Sequence, residues 1–258
     1  STLFDIVTTK LKVKATDQVL ILTEKGNCIK TSADKIAECK WRDKGVTLKQ
    51  IDRSVDIMET PVSILPVGKD EIIMLTKKGM AKRMKTEDGV ITKSYYQVLK
   101  VAEDDAMINA EIVEKGKNIL MFTSHGFTVN FDTAEVPLQG RISGGVMGVN
   151  LEKDDFVVMA CQNHFDSVMV ITDNGYVKRL STHQIPTCAR YRKGVKYVTF
   201  AGNGKKVLFV GGTDKAVIDQ GLQFKIVEAK KVKVSNDRLA SGGQEVSHRV
   251  LDAYSFVD

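Results

Sequence analysis

Five segments of this chain repeat one another, and that self-similarity restricts the fold more than any other feature of the sequence. They are Asp17–Lys30, Asp70–Arg83, Lys117–Asn130, Asp166–Arg179 and, more weakly, Lys205–Ile218. Their first aliphatic residues, Val19, Ile72, Ile119, Val168 and Val207, stand 53, 47, 49 and 39 residues apart. Counted from Val19 to the C-terminus, the repeats take 240 of 258 residues. Each segment opens with four apolar, largely β-branched residues, the pattern of a strand buried on both faces. In four of them a Thr-x-x-Gly turn follows: Thr23 to Gly26, Thr76 to Gly79, Thr123 to Gly126 and Thr172 to Gly175. A glycine closing a short polar loop suits a hairpin whose last loop residue has positive φ. The fifth segment lacks that glycine and has Gly211-Gly212 earlier, so its hairpin is expected to be distorted.

The rest of each unit repeats more faintly. Lys44-Gly45-Val46, Ser143-Gly144-Gly145-Val146, Lys193-Gly194-Val195 and Ser241-Gly242-Gly243 recur roughly 20 residues after their hairpins, and further strand-like runs follow. Four short strands in 40–50 residues make a blade, and radial repetition of blades leaves only short sheet edges. Long helical periodicity is absent. The expectation is an all-β, propeller-like disc of five four-stranded blades, with a sixth partial blade left open. As one repeat domain over 1–258, its units are 19–71, 72–118, 119–167, 168–206 and 207–258, and residues 1–18 help to close the ring.

Chemistry is sparse by comparison. His125, His164, His183 and His248 are far apart, with no metal-ligand spacing. Gly140-Arg141-Ile142-Ser143-Gly144-Gly145 superficially suggests a phosphate loop but lacks the Gly-Lys-Ser/Thr ending. The four cysteines lack a C-x-x-C pair and read as reduced thiols of a cytosolic protein. No apolar run reaches the 18 or so residues of a membrane span, and Ser1-Thr2-Leu3 opens no signal peptide; the absent initiator Met suggests a piece of a longer protein.

Charge is where a function shows. With 38 basic and 32 acidic residues the net charge is only +6. The cations nevertheless recur at matching places of the second hairpin strand: Lys30, Lys82-Arg83 continued by Lys85, and Lys178-Arg179. The connections add Lys40, Arg42 and Lys44 around Trp41, then Arg141, then Arg190, Arg192, Lys193 and Lys196. Charge repeated once per blade at one register falls on the same edge of a disc, where it can follow a bent phosphate backbone. The third and fifth units break the pattern with Val129-Asn130 and Val217-Ile218, so the track is an arc. Solvated strand ends explain such charge equally well, and a propeller binding a protein through its flat face is the competing class.

The recurring L-T-x-x-G-x-x-K-R, as in Leu75–Arg83 and Ile171–Arg179, resembles the C-terminal domain of bacterial type IIA topoisomerase A subunits. Ser143–Leu151 followed by Asp154–Val158 is similar to that family's G-V-x-G-x-x-L…D-x-V-V segment. The resemblance implies a β-pinwheel, a propeller variant that exchanges strands between blades and binds and bends double-stranded DNA, largely irrespective of sequence. It implies no catalytic residue and no cofactor here, since the nucleophilic tyrosine, ATP and Mg2+ belong to the rest of the parent enzyme. Its partners would be a second A subunit together with an ATPase B subunit, in the bacterial cytoplasm. Cys39-Lys40-Trp41-Arg42-Asp43-Lys44-Gly45 lacks the glycine pair of the gyrase box and resembles the topoisomerase IV pattern more than that of gyrase.

Overall fold

The computed structural model describes residues 14, 17–38, 48–55, 59–235, 241–248 and 250–256. The chain divides into two compact units, one of residues 1–76, 80–115 and 136–146, the other of 77–79, 116–135 and 147–258.

Two sheets build the first unit. In one, β1 (Gln18–Thr23) and β2 (Asn27–Ser32) form an antiparallel hairpin, with β3 (Pro61–Pro66) beside β1 and β6 (Tyr95–Gln97) beside β2. In the other, β4 (Glu71–Thr76) and β5 (Met80–Lys85) form the hairpin, flanked by β7 (Met107–Ile112) and β10 (Val146–Met147). The second unit repeats the plan. The hairpin of β8 (Asn118–Thr123) and β9 (Phe127–Asp132) lies between β11 (Val157–Gln162) and β14 (Val195–Lys196). The hairpin of β12 (Ser167–Thr172) and β13 (Tyr176–Ser181) lies between β15 (Val207–Gly211) and the pair β18 (Val234–Ser235) and β19 (Gln244–Glu245). A last sheet has three strands, β16 (Lys215–Asp219) between β17 (Phe224–Glu228) and β20 (Asp252–Phe256). Among the described residues, helix is confined to Ala33–Glu38, Leu48–Ile51 and single 3-10 turns.

The Thr-x-x-Gly signature has a physical cause. The hydroxyls of Thr23, Thr76, Thr123 and Thr172 accept the backbone N–H of Asn27, Met80, Phe127 and Tyr176 at 3.2, 3.0, 3.1 and 3.1 Å. Each buried threonine thereby bridges its own turn. Gly26, Gly79, Gly126 and Gly175 close those turns at φ of 81°, 85°, 93° and 82°. At Gly175 a Cβ would stand 1.8 Å from the carbonyl oxygen of Ser247, so both sterics and φ exclude a side chain.

The chain also exchanges strands. β2 receives β6, from beyond the next hairpin; β9 receives β14 and β13 receives β19 in the same way. The fifth unit departs from the sequence reading. Val207–Gly211 is not the first strand of a fifth hairpin, because it pairs antiparallel with β12 as the outer strand of the fourth sheet. The fifth hairpin is β16–β17, where Lys215 opposes Glu228, so the boundary drawn between 168–206 and 207–258 cuts through a sheet. The ring-closing role given to the N-terminal segment lies, for residues 1–13, outside the described residues.

The core follows the apolar runs. Val19 to Leu22, Ile72 to Leu75, Ile119 to Phe122 and Val168 to Ile171 are all buried, on both strand faces. In the first unit Leu20, Leu22, Ile72, Met74, Val98 and Leu99 pack together. In the second, Phe122 meets Tyr197 edge-on at 5.1 Å, and the Tyr197 hydroxyl donates to Thr123 O at 2.7 Å. That bond satisfies an otherwise stranded polar atom in the core.

Candidate nucleic-acid interface

Successive side chains of a strand point to opposite faces, so the recurrent Lys-Arg dipeptide cannot present both cations to one surface. Lys82 is the one turned inward: it is fully buried (0% exposed). Its Nζ donates to three carbonyl oxygens, Val98 O at 2.8 Å, Arg141 O at 3.0 Å and Ser143 O at 3.2 Å. Lys178 repeats this in the second unit, 3% exposed, donating to Tyr197 O at 2.7 Å and Ser241 O at 2.9 Å. Burial pushes the ammonium pKa of each down to about 8, helped at Lys82 by the charge of Arg141. These two lysines leave the set of surface cations. They are internal ties that fasten the loop preceding a borrowed strand to the hairpin receiving it.

The neighbouring cations at the matching register position are half-buried. Lys30 Nζ donates to Ile91 O. Arg83 donates from Nε to Val136 O at 2.8 Å and from a terminal nitrogen to Glu71 at 3.1 Å. Arg179 Nε donates to Ser167 Oγ at 3.0 Å. Each spends part of its donor capacity inside the protein, Arg83 and Arg179 partly on their own sheets. Lys85, at the end of β5, is exposed.

Exposed lysines are spread over the described residues, and among the segments that lead into borrowed strands the one at 189–196 groups several exposed cations. Three of these loops end in glycines of positive φ, Gly145 (80°), Gly194 (86°) and Gly243 (85°). At Gly194 a Cβ would lie 2.1 Å from Thr128 O, so glycine lets the loop backbone lie against the hairpin. The segment 189–196, a loop running into β14, carries Arg190, Arg192, Lys193 and, in the strand, Lys196, the last three exposed. Arg190 anchors the loop, donating to Met147 O at 2.7 Å and to Glu135 O at 3.1 Å. Lys193 lies 2.6 Å from Glu152 and 4.5 Å over the Phe127 ring. Lys193 first, then His125, holds the Glu152 carboxyl below its usual range. That pair is solvent-exposed and therefore screened, so a phosphate can displace the carboxylate.

In the first unit, the corresponding loop carries Arg141, which donates to Gln97 O at 3.0 Å. Lys40, Arg42 and Lys44 lie outside the described residues. Sequence reasoning passes over the apolar members of these loops. Ile142 is 69% and Tyr191 44% exposed, each beside an arginine three or four residues before the loop-closing glycine. Their signal is that spacing, legible once the glycines are aligned.

The family described as DNA gyrase C-terminal domain, beta-propeller, matches residues 17–56, 70–114, 117–160 and 166–207. The A subunit of DNA topoisomerase 4 from Bacillus subtilis (strain 168) is 27% identical over 247 residues, covering 90% of this chain and 30% of the relative. The A subunit of DNA gyrase from Staphylococcus aureus (strain MRSA252) is 27% identical over 214 residues, covering 80% of this chain and 24% of the relative. The chain thus spans about a quarter to a third of the length of these relatives. A solved C-terminal domain of DNA topoisomerase IV has a TM-score of 0.81 at 19% identity, over 94% of this chain and 80% of that one. The E. coli ParC C-terminal domain has a TM-score of 0.66 at 9% identity, over 93% and 98%. Four matched segments, each spanning one Thr-x-x-Gly hairpin, together with the borrowed-strand sheets, place this chain in the β-pinwheel C-terminal domain family of type IIA topoisomerase A subunits, those of topoisomerase IV and gyrase.

Proposed function

We propose that this domain binds double-stranded DNA without sequence preference and bends it, as the non-catalytic C-terminal part of a topoisomerase IV of the bacterial type. The observation that carries the reading is the segment 189–196, a loop together with β14. It sets Arg192, Lys193 and Lys196 outward on a backbone tied down by Arg190. A fixed loop with outward cations suits phosphate positioning, which carries no sequence information. Topoisomerase IV is favoured over gyrase by the missing glycine pair at Cys39–Gly45. The parent enzyme would supply cleavage chemistry, ATP and Mg2+, and a second A subunit together with an ATPase B subunit, in the bacterial cytoplasm.

Bending 20–30 bp by 40–90° costs on the order of 1–6 kcal/mol, which several phosphate contacts can offset. Affinity should then fall steeply with salt, with a logarithmic slope near −0.9 per phosphate neutralised. The test is a fluorescence-anisotropy titration of a 40-bp duplex against salt, with the wild-type chain and with R192A/K193A/K196A. The expected result is nanomolar to micromolar binding at low salt and a slope shallower by roughly 2–3 in the variant. Binding that ignores salt, or an unchanged slope, rejects the reading. It would favour instead a protein partner on the last sheet, where Leu222, Phe224 and Ile226 are exposed.

A further inference from the structure

Two of the loops before borrowed strands hold an apolar side chain out into solvent, and each is built to keep it there. In the second unit, Arg190, Tyr191 and Arg192 are fastened one after another to the segment 147–150. Arg190 donates to Met147 O at 2.7 Å, Tyr191 N–H to Gly148 O at 3.0 Å, and Asn150 N–H to Arg192 O at 3.0 Å. The tethering holds Tyr191 at φ 65°, left-handed backbone that a bulky L-residue rarely adopts. A side chain held in this way, 44% exposed and among Arg190, Arg192 and Lys193, is not explained by packing.

In the first unit the device differs and the outcome is the same. The carbonyls flanking Ile142, those of Arg141 and Ser143, both point to the buried Lys82 ammonium at 3.0 and 3.2 Å. Ile142 is left 69% exposed beside Arg141. An apolar side chain held out beside an arginine suits a nucleic-acid duplex. Phosphates take the cations, while sugars and base edges take the apolar tip.

We propose that Ile142 and Tyr191 are wedges that enter the minor groove of bound duplex and loosen a base step, so that bending at these loops is driven by apolar contact as well as by phosphate attraction. Proteins that kink DNA toward the major groove do so with apolar wedges of this kind. The inference rests on the DNA-binding reading above. It adds that electrostatics alone does not produce the bend, and it names the groove. Each wedge acts within its own unit. Pyrimidine–purine steps, which unstack most easily, would be the preferred sites of insertion.

The experiment uses the whole chain, wild type, I142S/Y191A and the conservative Y191F, on a 40-bp duplex carrying 2-aminopurine at a central TA step and end-labelled for energy transfer. Circular dichroism melts verify folding of each variant. Wild-type binding should raise 2-aminopurine emission and shorten the end-to-end distance. I142S/Y191A should lose both signals and bind about tenfold more weakly, as expected when a stacking contact of ~1.4 kcal/mol is lost. Its salt slope should stay unchanged, because every cation remains. Y191F should behave as wild type. If the wild type binds and bends DNA and the double variant gives the same emission and distance, the wedges are refuted while DNA binding stands. If the wild type does not bind duplex at low salt, the DNA reading fails and the wedges with it. If Y191F loses the signals as completely as I142S/Y191A, the ring acts through its hydroxyl and the apolar wedge is refuted.

Discussion

Replacing Lys82 with Met removes the internal tie of the first unit while nearly keeping its volume. Three carbonyl oxygens lose a charged donor. At about 1.5–3 kcal/mol for each bond to a charged group, that is roughly 4–9 kcal/mol. Against it stands the burial of the ammonium. Its pKa falls from 10.5 to about 8, and at 1.36 kcal/mol per unit this amounts to roughly 3 kcal/mol, returned when the charge is deleted. The residue is fully buried, so no allowance for solvent screening applies. The balance is a destabilisation on the order of 1–6 kcal/mol at pH 7.

The pH dependence of that figure has a definite sign. Between pH 8 and 10.5 the unfolded lysine keeps a proton that the folded one has lost, so wild-type stability rises with pH in this window. The variant lacks the group, and the gap between the two proteins should widen by roughly 2 kcal/mol from about pH 8 to pH 10. Urea unfolding of both proteins across that range, analysed as a difference so that other titrating groups cancel, measures it. A difference that stays flat, or a variant as stable as wild type, would mean that Lys82 is not a buried charged tie.

Lys178→Met should repeat this behaviour in the second unit, since burial depresses its pKa to the same value, and chemical denaturation over the same pH window checks it. Gly175→Ala meets the Ser247 carbonyl at 1.8 Å in a backbone at φ 82° and should lower stability by about 2–4 kcal/mol, seen as a fall in Tm. Cys28 is fully buried and its thiol is pushed up to about 12, so among the three described cysteines a maleimide at about pH 8 should modify the part-exposed Cys188 long before Cys28; equal rates by peptide mapping would contradict the burial. Glu152→Gln should leave the fold intact and tighten duplex binding a few-fold by freeing Lys193, and unchanged affinity would show that the pair does not compete with phosphate.

The repeat itself is plainly written in the sequence. Thr23, Thr76, Thr123 and Thr172 mark four hairpins because a hydroxyl four residues before a backbone N–H can close the turn, a strictly local requirement. Strand exchange leaves a weaker trace. Val207–Gly211 looks like any hairpin strand, and only its partner β12, distant in the chain, says that it finishes the previous sheet. The cations divide in the same way. Their recurrence is visible, and it suggests one surface for Lys82 and Arg83, although alternation along a strand forbids it. Which of the two turns inward becomes evident only when loop 139–145 brings its carbonyls to the Lys82 ammonium. The exposed run at 189–196 is legible because charges in a glycine-closed loop have few other places to go.

Borrowed strands also govern the order of events at the ribosome. A hairpin such as β12–β13 is made early, yet the residues that cover its open edge lie far downstream: Tyr176 meets Glu245 across 69 positions. At about 5–20 residues per second, several seconds of synthesis separate the two. During that interval each nascent sheet carries an unsealed border, and the module that has just emerged completes its predecessor before it is complete itself.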